Sequence, residues 1–212
     1  MDMGLYLLKF PVRKMISFSL PLFKNSNPNN ISYAILPVGV VMAWCYWQAL
    51  NGGNKWFFII GGLLGFVRMF IATLDGLVAV HYNKSTALGD VINRITPEMC
   101  DLMLIPTLVI AKGIYPLGVF VMLFCWATPF FGYFGAPSGL PVQSVGPVGQ
   151  TDRLAALMLL SLFQFFSLAF NWNLDFILYF FYWVIFGGTM TLIFRFKRTY
   201  CAAEKKDKGV TP

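Results

Sequence analysis

The 212-residue sequence predicts an all-α, polytopic integral membrane protein, with six transmembrane helices led by an N-terminal interfacial amphipathic helix. Three observations carry that prediction. Hydrophobic residues make up 58% of the chain and charged residues 12%, against about 25% charged in a soluble domain. Apolar stretches long enough to cross a hydrocarbon core of about 30 Å, at 1.5 Å per residue, recur along the chain. Lys and Arg gather on one side of the predicted spans, as they do in oriented membrane proteins.

The elements follow in order. Residues 1–30 form the leading segment, in which "MGLYLLKFPVRKMISFSLPLF" mixes apolar residues with Lys9, Arg13 and Lys14 and is broken by Pro11 and Pro21. That pattern suits a helix lying along the membrane surface. It lacks the uninterrupted apolar core and small-residue cleavage site of a cleaved signal. A membrane domain follows over 31–195. Its spans are expected near 31–50, 56–80, 90–112, 114–134, 154–171 and 174–194, and the third is the most polar. Between the fourth and fifth, "GAPSGLPVQSVGPVGQTD" at 135–152 is rich in Gly and Pro and lacks helical periodicity, which marks a loop, and loops of this length are often functional. Residues 196–212 read as a basic polar tail. No internal repeat is visible, which argues against an inverted-repeat transporter.

The net charge is +7 and the pI about 9.3. An even number of spans puts both termini on one side. That side takes Lys9, Arg13, Lys14, Lys24, Lys84, Arg94, Arg153, Arg195, Lys197, Arg198, Lys205, Lys206 and Lys208; the other takes Lys55 and Lys112. Both termini are therefore expected on the cytoplasmic or matrix-like face. The membrane is the mitochondrial inner membrane or a bacterial plasma membrane. Basic residues beside apolar spans point to membrane lipids, and to anionic headgroups in particular, rather than to nucleic acid. Cys45, Cys100, Cys125 and Cys201 are scattered with no CxxC pair, which speaks against a disulfide framework or a zinc site.

Polarity concentrates in "LDGLVAVHYNKSTALGDVINRITPEMCD", residues 74–101. Ionisable groups in spans are expensive and face a cavity or a partner. Asn93, Pro97 and Asp101 recur every four residues, hence on one helical face. Asp75 and Asp101 are expected to face each other across a cavity. With the Asn93 amide they offer oxygen ligands suited to Mg²⁺, Mn²⁺ or Ca²⁺. The alternative is structural, with Asp75 paired to Arg68 or Arg94. His81 is a second candidate base, with a ring that titrates near neutrality. "TPE" reads as Thr96 capping a new helix, Pro97 at its first position and Glu98 in its first turn, which would kink the third span.

The same stretch resembles the signature of the CDP-alcohol phosphatidyltransferase family, D-x2-D-G-x2-A-R-x8-G-x3-D-x3-D. Asp75 and Gly76 match its second acid and first glycine, Ala79 its alanine and Gly89 its second glycine. "NPNNIS" at 27–32 resembles the start of the family's first span. "GPVGQTDR" at 146–153 resembles a loop found in the more similar members, which also carry Asn at the third acid position. The resemblance covers roughly residues 25–195. It implies the six-span fold and a cleft that binds a CDP-linked lipid or alcohol through two metal ions, with the last acid acting as base on the acceptor hydroxyl. Carried over to this chain, Asp75 and Asp101 become the candidate catalytic acids, with His81 as alternative base. Asp75, Asn93 and Asp101 become the metal ligands. Gly76, Ala79, Lys84, Gly89, Gly146 and Arg153 become the substrate-binding residues.

The departures point the other way. Ala72 stands at the first acid position, Val80 at the arginine, Asn93 at the third acid and Pro97 at the fourth, and Gln150 replaces the loop lysine. Asp75 alone survives of four acids, and two divalent ions need more negative charge than that. Two functions are therefore expected in competition. One is a non-catalytic accessory subunit of a larger membrane complex, or a homodimer, holding a bound phospholipid and needing no cofactor. The other is a divergent transferase using Mg²⁺ or Mn²⁺ to make a phospholipid.

Overall fold

The computed structural model describes residues 16–208. Six long helices account for most of them: α1 (Pro28–Asn51), α2 (Trp56–His81), α3 (Ala87–Lys112), α4 (Tyr115–Tyr133), α5 (Gln150–Phe170) and α6 (Phe176–Asp207). Local chemistry sets their ends. Asn27 caps α1, its side chain accepting from Asn29 N at 3.0 Å, and Pro28 occupies the first turn, where a missing N–H costs nothing. Thr86 caps α3 by accepting from Gly89 N at 2.9 Å, and Gly113 ends it in the left-handed conformation, φ 68°. At the start of α5, Gly149 N donates to Asp152 Oδ2 at 3.0 Å.

Two expectations about helix ends are corrected. Thr96 does not cap a new helix: its hydroxyl bonds back to the Ile92 carbonyl at 3.0 Å and α3 runs unbroken through Pro97. Residues 196–207, read as part of a basic polar tail, continue α6, which runs to Asp207. The N-terminal segment expected to lie along the membrane falls largely outside the described residues. Its described end is a 3-10 helix, Ser17–Phe23, with Pro21 inside.

Among the described residues, five helices are long and apolar enough to cross a membrane: α1, α2, α4 extended to Ser138, α5 and α6. The remaining long helix, α3, carries Asp90, Arg94, Glu98 and Asp101 along its length and falls outside that set. The helices pack as a ring in the order α3, α1, α2, α5, α6, α4, with α4 closing against α3. Sequence neighbours α2 and α3 touch little, because α1 lies between them.

Small residues let the helices approach closely, as membrane helices require. A Cβ on Gly39 would stand 2.5 Å from Cys100 Sγ, fixing α1 against α3. One on Gly65 would stand 2.6 Å from Met158 Cγ, fixing α2 against α5. The shared interior holds Met42, Tyr46, Phe58, Leu104, Leu108, Leu157, Phe180 and Phe181. Within it the Tyr46 hydroxyl meets Ser161 Oγ at 2.7 Å, a bond of the order of 0.6–1.7 kcal/mol between membrane helices. The outer surface is apolar too. Trp44, Leu63, Phe66, Phe120, Phe130, Leu159 and Phe186 are exposed, which is the arrangement of a bundle solvated by hydrocarbon chains rather than by water.

Candidate functional site

One end of the bundle holds a cavity of about 500 Å³. Its walls come from the start of α1 (Pro28, Asn29, Ser32), the end of α2 (Asp75 to Val80), the start of α3 (Thr86 to Glu98) and the end of α4 (Thr128, Pro129, Tyr133). The α4–α5 loop, the start of α5 (Gln150 to Arg153) and Arg195 of α6 complete it. Six successive helices thus contribute alternate ends to one site, so the bundle runs up and down throughout. α3 traverses it fully: at the far end Lys112 ion-pairs with Asp175, the residue that caps α6.

Most of the residues singled out by motif meet here. Asp75, Gly76, Ala79, Lys84, Gly89, Asn93 and Arg153 all line the cavity. Asp75 is 2% exposed. One of its oxygens accepts from the Ser32 hydroxyl and the other from Gly76 N, both at 2.5 Å. The two motif fragments are in contact: a Cβ on Gly89 would stand 3.1 Å from the Asn29 side-chain oxygen, and one on Gly76 would stand 3.7 Å from the Asn93 amide nitrogen. The Lys84 ammonium donates to the carbonyls of Lys24 at 2.6 Å and Ser26 at 2.9 Å, tying the segment before α1 to the cavity rim.

Three expected residues lie elsewhere. His81 is exposed at the end of α2 and is not part of the wall. Gly146 is buried behind the wall, with φ +119° and no room for a Cβ, which would stand 2.5 Å from Thr191 Cγ2. Its role is to let the loop lie against α6. Asp101, 4% exposed, does not face Asp75 across the cavity. Its two carboxylate oxygens accept from two arginines on different helices. Arg68 Nη2 of α2 reaches Oδ1 at 2.7 Å, and Arg153 of α5 reaches Oδ2 through Nη2 at 2.8 Å and Nε at 3.2 Å. This also corrects the expected pairing of Arg68, which goes to Asp101 rather than to Asp75.

The cluster extends outward. Arg153 Nη2 also pairs with Glu98 at 3.1 Å, and its Nη1 donates to the Thr128 hydroxyl at 2.8 Å. Arg68 Nη2 donates to the Pro97 carbonyl at 2.6 Å. Arg195 donates to the carbonyls of Thr128 and, at 3.0 Å, Val145. Two arginines, one aspartate and one glutamate thereby tie α2, α3, α4 and α5 together beneath the cavity floor. Among the described residues, no group of three or more His, Cys, Asp or Glu side chains is placed to hold a metal ion.

Sequence reasoning missed Ser32, Thr128, Gln143 and Arg195 as site residues. Arg195 had a visible signal, since an arginine inside an apolar helix faces a cavity or a partner. Ser32 had one in the "NPNNIS" fragment. Thr128 and Gln143 had none, because their placement depends on how the ring closes.

The chain is 32% identical, over 98 residues, to a protein named Inner membrane protein YnbA from Escherichia coli (strain K12). The aligned part covers 45% of this chain and 48% of that protein, so the chain spans about half the length of the relative it matches. No protein-family model matches the chain, and no solved structure matches it. Five apolar helices, an apolar outer surface and an inner-membrane relative together make this chain an all-helical integral membrane protein in contact with membrane lipids.

Proposed function

We propose that the chain is a six-span protein related to the CDP-alcohol phosphatidyltransferases whose catalytic motif has degenerated, and that it serves as a non-catalytic, lipid-binding accessory subunit of a larger membrane complex. The observation that carries this reading is the capture of Asp101 between Arg68 and Arg153. A carboxylate paired with two guanidinium groups has its charge already compensated, and a divalent cation would have to displace them. Ala72 and Pro97 bring no ligand, Asn93 brings no charge, and Asp75 already accepts from Ser32 and Gly76. The donor set therefore does not fit a pair of Mg²⁺ or Mn²⁺ ions.

The cavity suits a phospholipid headgroup. It has the volume of a small-ligand site, sits at one end of an apolar bundle, and is walled by Lys84, Arg94, Arg153 and Arg195 against Asp75, Asp90, Glu98 and Asp152. α3 acts as the sixth span, because it runs antiparallel to its neighbours from the cavity to the Lys112–Asp175 pair. Both termini and the cavity face the cytoplasm, following the excess of Lys and Arg at that end. The membrane is a bacterial plasma membrane, in keeping with the relative's name.

One observation favours an active transferase instead: Asp75, Gly76, Ala79 and Gly89, the surviving motif positions, line a single cavity together with Asn93. The experiment separates the two. Purified protein is incubated with CDP-diacylglycerol, candidate alcohols and Mg²⁺ or Mn²⁺. The accessory reading expects no CMP release above background. Release that disappears in Asp75→Ala refutes it.

A further inference from the structure

Two exposed patches flank the cavity mouth and take no part in the site. The first is the 3-10 helix Ser17–Phe23. Its Leu20 packs inward against Leu74 and Val78 of α2, and the Tyr82 hydroxyl donates to the Leu20 carbonyl at 3.0 Å. Phe18 and Leu22 face outward, 79% and 82% exposed, followed by exposed Lys24.

The second patch is a stripe along α6 whose C-terminal end lies on the cavity side. Tyr179, Tyr182, Phe186, Ile193, Phe196 and Tyr200 are all exposed, and their spacing of three, four or seven places them on one face. From Tyr179 to Tyr200 that face measures about 32 Å at 1.5 Å per residue, close to the hydrocarbon thickness of about 30 Å. Tyrosines stand at both ends, where interfacial aromatics sit. The face is thus a ruler that puts Tyr200 at the headgroup level on the cavity side. Lys197, Arg198 and Lys205 are exposed within two turns of it.

We propose that this end of the bundle is a collar selective for anionic phospholipids in the leaflet where the cavity opens. Phe18, Leu22, Phe196 and Tyr200 seat among the upper acyl chains, and Lys24, Lys197, Arg198 and Lys205 take the phosphates. The occupant is lipid because the α6 patch continues a hydrocarbon-facing stripe without a break, and anionic because the side chains beside it are basic. The collar is separate from the cavity and stands whether or not the chain catalyses.

The test uses the full chain in nanodiscs of equal phosphatidylglycerol and phosphatidylcholine, with retained lipids counted by native mass spectrometry after mild extraction. The wild type is expected to retain phosphatidylglycerol preferentially. Lys197→Gln, Arg198→Gln and Lys205→Gln each lower that preference, by up to about fivefold per charge at low salt, and added salt weakens it in the wild type. Phe196→Ala with Tyr200→Ala lowers the number of lipids retained but leaves their ratio unchanged. The cavity residues are intact in all these variants, so a headgroup bound there contributes equally to each, and the change on substitution reads the collar alone. Equal retention of the two lipids by the wild type overturns the proposal. So does a preference unchanged by all three charge substitutions, which would assign the retained phosphatidylglycerol to the cavity.

Discussion

Replacing Asp101 with Asn separates a structural carboxylate from a catalytic one by the sign of its effect. Asp101 is almost fully buried between Arg68 and Arg153. Asn keeps the shape and removes the charge. Arg153 then retains Glu98, but Arg68 loses the carboxylate it pairs with, while its Nε and Nη1 already lack hydrogen-bond partners. Removing one partner of a buried ion pair costs about 3–5 kcal/mol, because the other charge stays buried and uncompensated. At about 2–4 °C per kcal/mol for a chain of this size, Tm should fall by roughly 6–20 °C. Thermal unfolding in detergent, followed by circular dichroism, measures it. Adding Arg68→Met to Asp101→Asn should recover part of the loss, since the orphaned cation goes too. A carboxylate kept as a metal ligand behaves oppositely: removing it relieves repulsion in the cation-free protein and leaves Tm unchanged or raised. Asp101→Asn with wild-type stability would refute the clamp, and with it the ground for reading the site as non-catalytic.

Two other substitutions test the packing and the loop. Gly39→Leu places a side chain where even a Cβ would stand 2.5 Å from Cys100 Sγ, so α1 and α3 must separate; a loss of about 1–3 kcal/mol is expected in the same melt. Thr199→Val removes the hydroxyl that accepts from Gln143 Nε2 at 2.7 Å. The loop should then be cut faster by protease between Gly139 and Ser144, with little change in Tm.

Much of the fold was legible because the hydrophobic pattern has one dominant cause. The helices expected near 56–80 and 90–112 appear as Trp56–His81 and Ala87–Lys112, though only the first is apolar enough to count as a membrane span. The surviving motif residues meet at one cavity because spacing within one chain segment fixes them on adjoining helix ends. Partner choice was not legible. Asp101 sits four residues after Pro97, on the face that should have aimed it at Asp75, but its carboxylate goes to Arg153, 52 residues away and across the ring. The order of helices around the ring decides that, and hydropathy carries no trace of it. The second helix start expected at Thr96 failed for a local reason. Thr86 takes the capping role by accepting from Gly89 N, while the Thr96 hydroxyl bonds back to the Ile92 carbonyl within the same helix.

The threefold charge contact at Asp101 also bears on how the chain is made. α3 emerges from the ribosome with Glu98 and Asp101 exposed on a helix that hydrocarbon alone would reject. One neutralising cation, Arg68, has been synthesised already; the second, Arg153, arrives two helices later. Packing of α3 into the bundle can therefore begin against α2 but is completed only when α5 is delivered. A chain stopped after α4 should be held at the insertion machinery or degraded, while one that reaches α5 closes its ring in a single late step.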